Sequence, residues 1–141
     1  MKTAQITFIA GTVPFIYLGA MHAIIAFKDI EHPNYFTPLN DKVRSMMQET
    51  TLRITNKTSM WKAWLGFNIS HGLGIFTFGI IMLLLGLLCF DQLKLMAPIA
   101  IAFSTTYLWL SVKFWFNKPT IGITIGLQLF ILSYILLLLL N

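Results

Sequence analysis

Two histidines and an asparagine stand in parts of this chain where polar side chains are rare. His22 lies in an apolar stretch that starts near Thr7. Asn68 and His71 lie in Met60-Trp61-Lys62-Ala63-Trp64-Leu65-Gly66-Phe67-Asn68-Ile69-Ser70-His71-Gly72-Leu73-Gly74, which runs straight into the apolar segment from Ile75 to Phe90. Polar groups inside a membrane-spanning helix are costly and are functional candidates by default. Trp61, Trp64, Asn68, His71 and Ile75 recur at three- and four-residue spacing, so they share one helix face.

Two neutral imidazoles facing each other across a dry bundle can ligate the iron of haem b, one from each side. They can also hold another transition metal, with His32 as a third ligand. His22 and His71 are therefore the metal candidates. His22, Asn68, His71, Trp64 and Gln128 are the candidates for binding a cofactor or lipidic ligand, because imidazole, amide and indole groups suit the head group of a lipid or quinone equally well. Gly66, Gly72, Gly74 and Gly79 leave the second span bare, and Gly19 and Ala20 do the same near His22. These small residues either make room for a ligand or let helices approach closely. The plainer alternative is that the polar groups bond between helices as structural glue, at about 0.6 kcal/mol each. No Asp or Glu falls within the spans read below, so no catalytic acid pair is expected and no residue is assigned a catalytic role. Lys113 lies close enough to a span end to snorkel to the interface.

The elements that carry these residues follow from composition. The chain has 141 residues, 57% hydrophobic and 11% charged, against about 25% charged residues in an ordinary soluble domain. Four apolar stretches are long enough to span a bilayer: about 7–27, 64–90, 96–116 and 119–140. The expected fold is all-α, a single membrane domain over 1–141 built as a four-helix bundle, with residues 28–63 as its one long connection. Lys2 ahead of the first span resembles the start of a signal peptide, but the apolar run is too long and no small-residue cleavage site follows, so the span is read as retained. Cys89 is the only cysteine, so no intrachain disulfide forms.

Within 28–63, Pro33 and Pro38 interrupt any helix. Asn40 or Asp41 then caps a short amphipathic helix with Val43, Met46, Met47, Thr50 and Ile54 on one face. This helix lies on the membrane interface or caps the bundle. Basic residues concentrate in this connection and beside the one near Phe116, which puts both on the cytoplasmic side and both termini outside. The net charge of +5 thus reflects topology rather than nucleic-acid binding. Asn56-Lys57-Thr58 matches a glycosylation sequon but falls on the cytoplasmic side.

Counted along the helices, His22 lies about 8 Å from the cytoplasmic end of its span and His71 about 10 Å above Trp64. Thr105 and Thr106 come about 15 Å in, and Gln128 about 13 Å. Each span thus contributes to one polar layer biased toward the cytoplasm.

The string Thr58-Ser59-Met60-Trp61-Lys62-Ala63-Trp64-Leu65-Gly66-Phe67-Asn68-Ile69-Ser70-His71 resembles the signature of an uncharacterised family of small bacterial four-span membrane proteins. Gly19-Ala20-Met21-His22, Ile54-Thr55 and Phe114-Trp115-Phe116 are similar to it as well. The resemblance implies four spans and a bacterial inner membrane, and it brings no catalytic roles. The leading expectation is a non-enzymatic bundle that binds a lipidic or cofactor ligand in the His22/Asn68/His71 layer. The alternatives are a bis-His haem b redox protein and a structural accessory subunit of a larger membrane complex or homo-oligomer.

Overall fold

The computed structural model of the chain describes residues 2–139. It is all-α apart from one small hairpin: helices α1 (Lys2–Glu31), α2 (Asp41–Glu49), α3 (Met60–Leu88), α4 (Leu93–Phe114) and α5 (Asn117–Leu139). Strands β1 (Thr51–Leu52) and β2 (Thr55–Ser59) pair antiparallel between α2 and α3. The helices α1, α3, α4 (with the 3₁₀ turn Phe90–Gln92 ahead of it) and α5 are each long and apolar enough to cross a membrane. Leu140, the last residue of the expected fourth span, lies outside the described residues.

Each long helix starts ahead of the apolar stretch that announces it, and α1 also runs past its end. Helix α1 reaches Glu31 and stops at His32, because the residue before Pro33 is driven out of helical geometry. Helix α3 starts at Met60, where the Ser59 hydroxyl accepts the Lys62 N–H at 3.4 Å. It ends at Leu88, so Phe90 belongs to the 3₁₀ turn rather than to the span. Helix α4 ends at Phe114, and Trp115 and Phe116 make the whole link to α5. Pro14 sits inside α1 and Pro98 inside α4.

The chain forms two compact units: one from the segment up to Leu18 with the chain from Ile75 onward, the other from Gly19–Gly74. The first has an aromatic core. Phe8 and Phe15 of α1 pack on Phe130 of α5 with ring centroids 5.1 and 5.9 Å apart, and Phe78 stacks on Phe103 at 3.8 Å. Glycines set the approach of α1 to α5: a Cβ on Gly126 would meet the Phe15 ring at 2.5 Å, and one on Gly11 the Phe130 ring at 2.9 Å. Two cross-helix bonds complete it, from Ser133 Oγ to the Ala4 carbonyl and from Gln5 Nε2 to the Gly86 carbonyl, each at 2.8 Å.

The Gly19–Gly74 unit holds the end of α1, the whole connection and the first turns of α3. The Asn40 side chain caps α2 by accepting the Lys42 N–H at 2.9 Å. The helix stops at Glu49, nine residues long, so Thr50 and Ile54 do not extend its apolar face. Thr50 is already extended, and Ile54 sits at the tip of the β1–β2 hairpin, 91% exposed. The β-branched Thr50, Thr51, Thr55 and Thr58 favour strand over helix here.

Candidate functional site

The contact of α1 with α3 in the Gly19–Gly74 unit is set by one glycine. A Cβ on Gly72 would come within 2.6 Å of the Ala23 nitrogen and 2.9 Å of its Cα. The two backbones therefore touch, and the residues one position back, His71 and His22, are brought into contact. Their ring centroids are 5.1 Å apart with the planes at 69°, an edge-to-face contact. Asn68, one turn before His71 and 4% exposed, donates through Nδ2 to the Trp64 carbonyl at 2.8 Å and lies beside the His22 ring. Phe67 stacks along the outer side of His71 at 5.8 Å.

A loop covers the His22 side of the pair. The Phe36 ring tilts onto His22 at 4.7 Å. Two tethers hold it there. The Trp64 indole N–H donates to the Phe36 carbonyl at 2.9 Å. Asp29, fully buried at the end of α1, accepts the backbone N–H groups of Asn34 and Tyr35 on Oδ1, both at 3.1 Å, and of Phe36 on Oδ2 at 2.6 Å. Outside Phe36 lies an open groove of about 380 Å³ lined by Tyr35, Phe36, Thr37, Pro38, Met47 and Trp64. One turn before the wall residue Met47, the Arg44 guanidinium of α2 stands 5.8 Å from the centroid of the buried Trp61.

Of the residues singled out in the sequence, His22, Asn68, His71 and Trp64 form this cluster. Gln128 belongs to the other unit and is exposed on α5, on the side of the helix opposite the buried Ile123, Leu127 and Phe130. Thr105 and Thr106 are exposed, and their hydroxyls donate to the Ile101 and Ala102 carbonyls of their own helix at 2.8 and 3.0 Å. A polar layer fed by all four spans therefore reduces to the α1/α3 pair, because residue depth fixes height along a helix but not the direction a side chain takes around it. His32 is exposed, and among the described residues no three His, Cys, Asp or Glu side chains converge to hold a metal.

The residues present do not fit a haem between the histidines. Axial ligation from two sides needs helices set apart by a macrocycle and two iron–nitrogen bonds. Here the backbones meet at Gly72 and Ala23, and the imidazoles pack directly on one another.

Asp29, Phe36, Thr37 and Arg44 were not singled out from the sequence. Asp29 carried a usable signal: an acid just past the apolar run, followed within a few residues by Pro33 and a stretch rich in turn formers. Phe36 and Thr37 carried none, because their role depends on a tether formed across the loop. No family model, no curated protein and no solved structure matches the chain.

Proposed function

We propose that this chain is a non-enzymatic, multi-pass protein of the bacterial inner membrane that binds a lipidic ligand at the His22/Asn68/His71 cluster. Both termini lie outside and the α1–α3 connection is cytoplasmic. The observation that carries the reading is the loop drawn over His22 at its contact with His71. Purely structural interhelical bonding needs no loop drawn over it by a buried carboxylate and an indole. A roof of aromatic side chains beside an open groove suits an amphiphile, whose apolar body lies on Phe36 and Trp64 while its polar end reaches the imidazole–amide group. His22 Nε2 is buried without a hydrogen-bond partner and can serve such a polar end.

The test is the full chain purified in mild detergent and examined by native mass spectrometry and visible spectroscopy. The expected result is a retained lipid- or quinone-sized molecule and no Soret band. His22→Ala and His71→Ala lower its occupancy with little change in thermal stability. Loss of stability with unchanged ligand content would instead make the histidines structural glue, and a Soret band after expression with ample haem would restore the haem reading.

A further inference from the structure

Three polar side-chain atoms are buried without a hydrogen-bond partner among the described residues: His22 Nε2, Thr37 Oγ1 and Arg44 Nε. All three belong to the Gly19–Gly74 unit, and one of them, Thr37, lines the groove. Thr37 forms part of its wall. Arg44 precedes Met47, another wall residue, by one helical turn, so the two share a face of α2. Its guanidinium stands near Trp61, one turn before the wall residue Trp64. Arg44 offers only donors and Thr37 offers a hydroxyl. The rest of the wall is apolar and aromatic: Tyr35, Phe36, Pro38, Met47 and Trp64.

An occupant that satisfies both parts has anionic oxygens at one end and hydrocarbon at the other. The guanidinium fork matches phosphate oxygens in particular. Trp64 lies in the first turns of α3, where the apolar span begins, and aromatic rings at that level sit among lipid head groups. Asp41 and Glu49 balance Lys42 and Arg44 along α2, so the favourable charge is that of the Arg44 guanidinium itself, with Lys62 next to Trp61. A head group that carries its own ammonium gains less from this field than an acidic one. We infer that the groove binds an acidic phospholipid: Arg44 and Thr37 take its phosphodiester, and its glycerol and first acyl carbons lie on Phe36, Met47 and Trp64. This goes beyond the ligand-binding reading above, placing a head group at Arg44 and Thr37 rather than at the histidines, and rests on that reading for the amphiphilic character of the ligand alone.

The probe is phosphatidylglycerol added to the delipidated full chain, with phosphatidylcholine and inorganic phosphate as comparisons, read by native mass spectrometry and thermal shift. Phosphatidylglycerol is expected to bind about tenfold more tightly than phosphatidylcholine. Arg44→Gln is expected to erase that preference, Arg44→Lys to restore part of it, and Thr37→Val to weaken binding of phosphatidylglycerol without touching α2. Equal binding of the two lipids, or an unchanged preference in both Arg44→Gln and Thr37→Val, overturns the acidic-lipid assignment. So does stabilisation by inorganic phosphate equal to that by the lipid. His22→Gln separates the two readings. If it leaves the phosphatidylglycerol preference intact while Arg44→Gln removes it, the groove stands and the histidine cluster loses its ligand. If lipid binding depends on His22 but not on head-group charge, the cluster stands and the groove assignment falls.

Discussion

Asp29 shows how much of the site rests on a single side chain. A buried carboxylate is costly unless its lone pairs are met, and here three consecutive backbone N–H groups meet them. The same three bonds hold residues 34–36 against the end of α1, which places Phe36 over His22. Asp29→Asn keeps one acceptor oxygen but turns an amide NH₂ toward backbone donors. Hydrogen bonds to charged groups contribute about 1.5–3 kcal/mol each, so the variant is expected to lose about 2 kcal/mol locally. Hydrogen–deuterium exchange provides the check. Amides of Asn34, Tyr35 and Phe36 should exchange at least about tenfold faster, with α5 unaffected. Unchanged protection of these amides would mean that the Trp64 indole alone holds the loop.

Among the elements, α3 decides the site, and its glycines differ in what they do. Gly72 faces the Ala23 backbone, Gly79 the Ile16 backbone and Gly86 the side chains of Phe8 and Ile9, so one side of α3 is kept bare for α1. Gly66 and Gly74 have nothing within 4 Å of where a Cβ would stand. Gly72→Ala forces a methyl into backbone, which cannot step aside as a flexible side chain does. It is expected to destabilise by about 1–3 kcal/mol and to part His22 from His71. Gly74→Ala is expected to be neutral or to stabilise by about 0.5–1 kcal/mol through the lower entropy of the unfolded helix. Steric trapping or thermal melting in detergent compares the pair, and equal effects would remove the assigned role of Gly72.

The difference between these two glycines was not legible in the sequence, where Gly66, Gly72, Gly74 and Gly79 read alike as small residues in a span. Which of them meets a neighbour depends on rotation about the helix axis, and that is set by packing. The four long helices were legible, because runs of some 20 apolar residues leave few alternatives. The cap at Asn40 was legible from a local rule and is made as expected. The β1–β2 hairpin was not, since β-branched threonines outweigh a helical pattern extended through Thr50 to Ile54. The histidine pair stood halfway: the residue types and their matched heights were readable, whereas the edge-to-face contact needed the α1–α3 approach at Gly72. Gln128 had suitable chemistry and depth but points away from the packed side of α5.

For the whole molecule, the charge pattern is what supports the proposed direction in which it crosses the bilayer. Of the ten lysines and arginines, only Lys2 and Lys94 fall on the side of the N-terminus and of the α3–α4 turn; the others lie in or beside the connections 32–59 and 115–116. The topology proposed above follows the positive-inside rule: it keeps the α1–α3 connection in the cytoplasm, where the groove near Met47 would meet the inner leaflet. In that proposed topology, with four crossings, the turn that contains Cys89 faces outward. Cys89 is the only cysteine and is exposed, which supplies a native reporter. A membrane-impermeant maleimide applied to intact spheroplasts is expected to label the wild-type chain without permeabilisation. In the Cys89→Ser/Ile54→Cys double variant the thiol moves to the hairpin tip, and labelling is expected only after permeabilisation. The reverse pattern inverts the topology. It would also turn the groove to the outer leaflet and leave eight basic residues on the side where the translocation machinery tolerates them least.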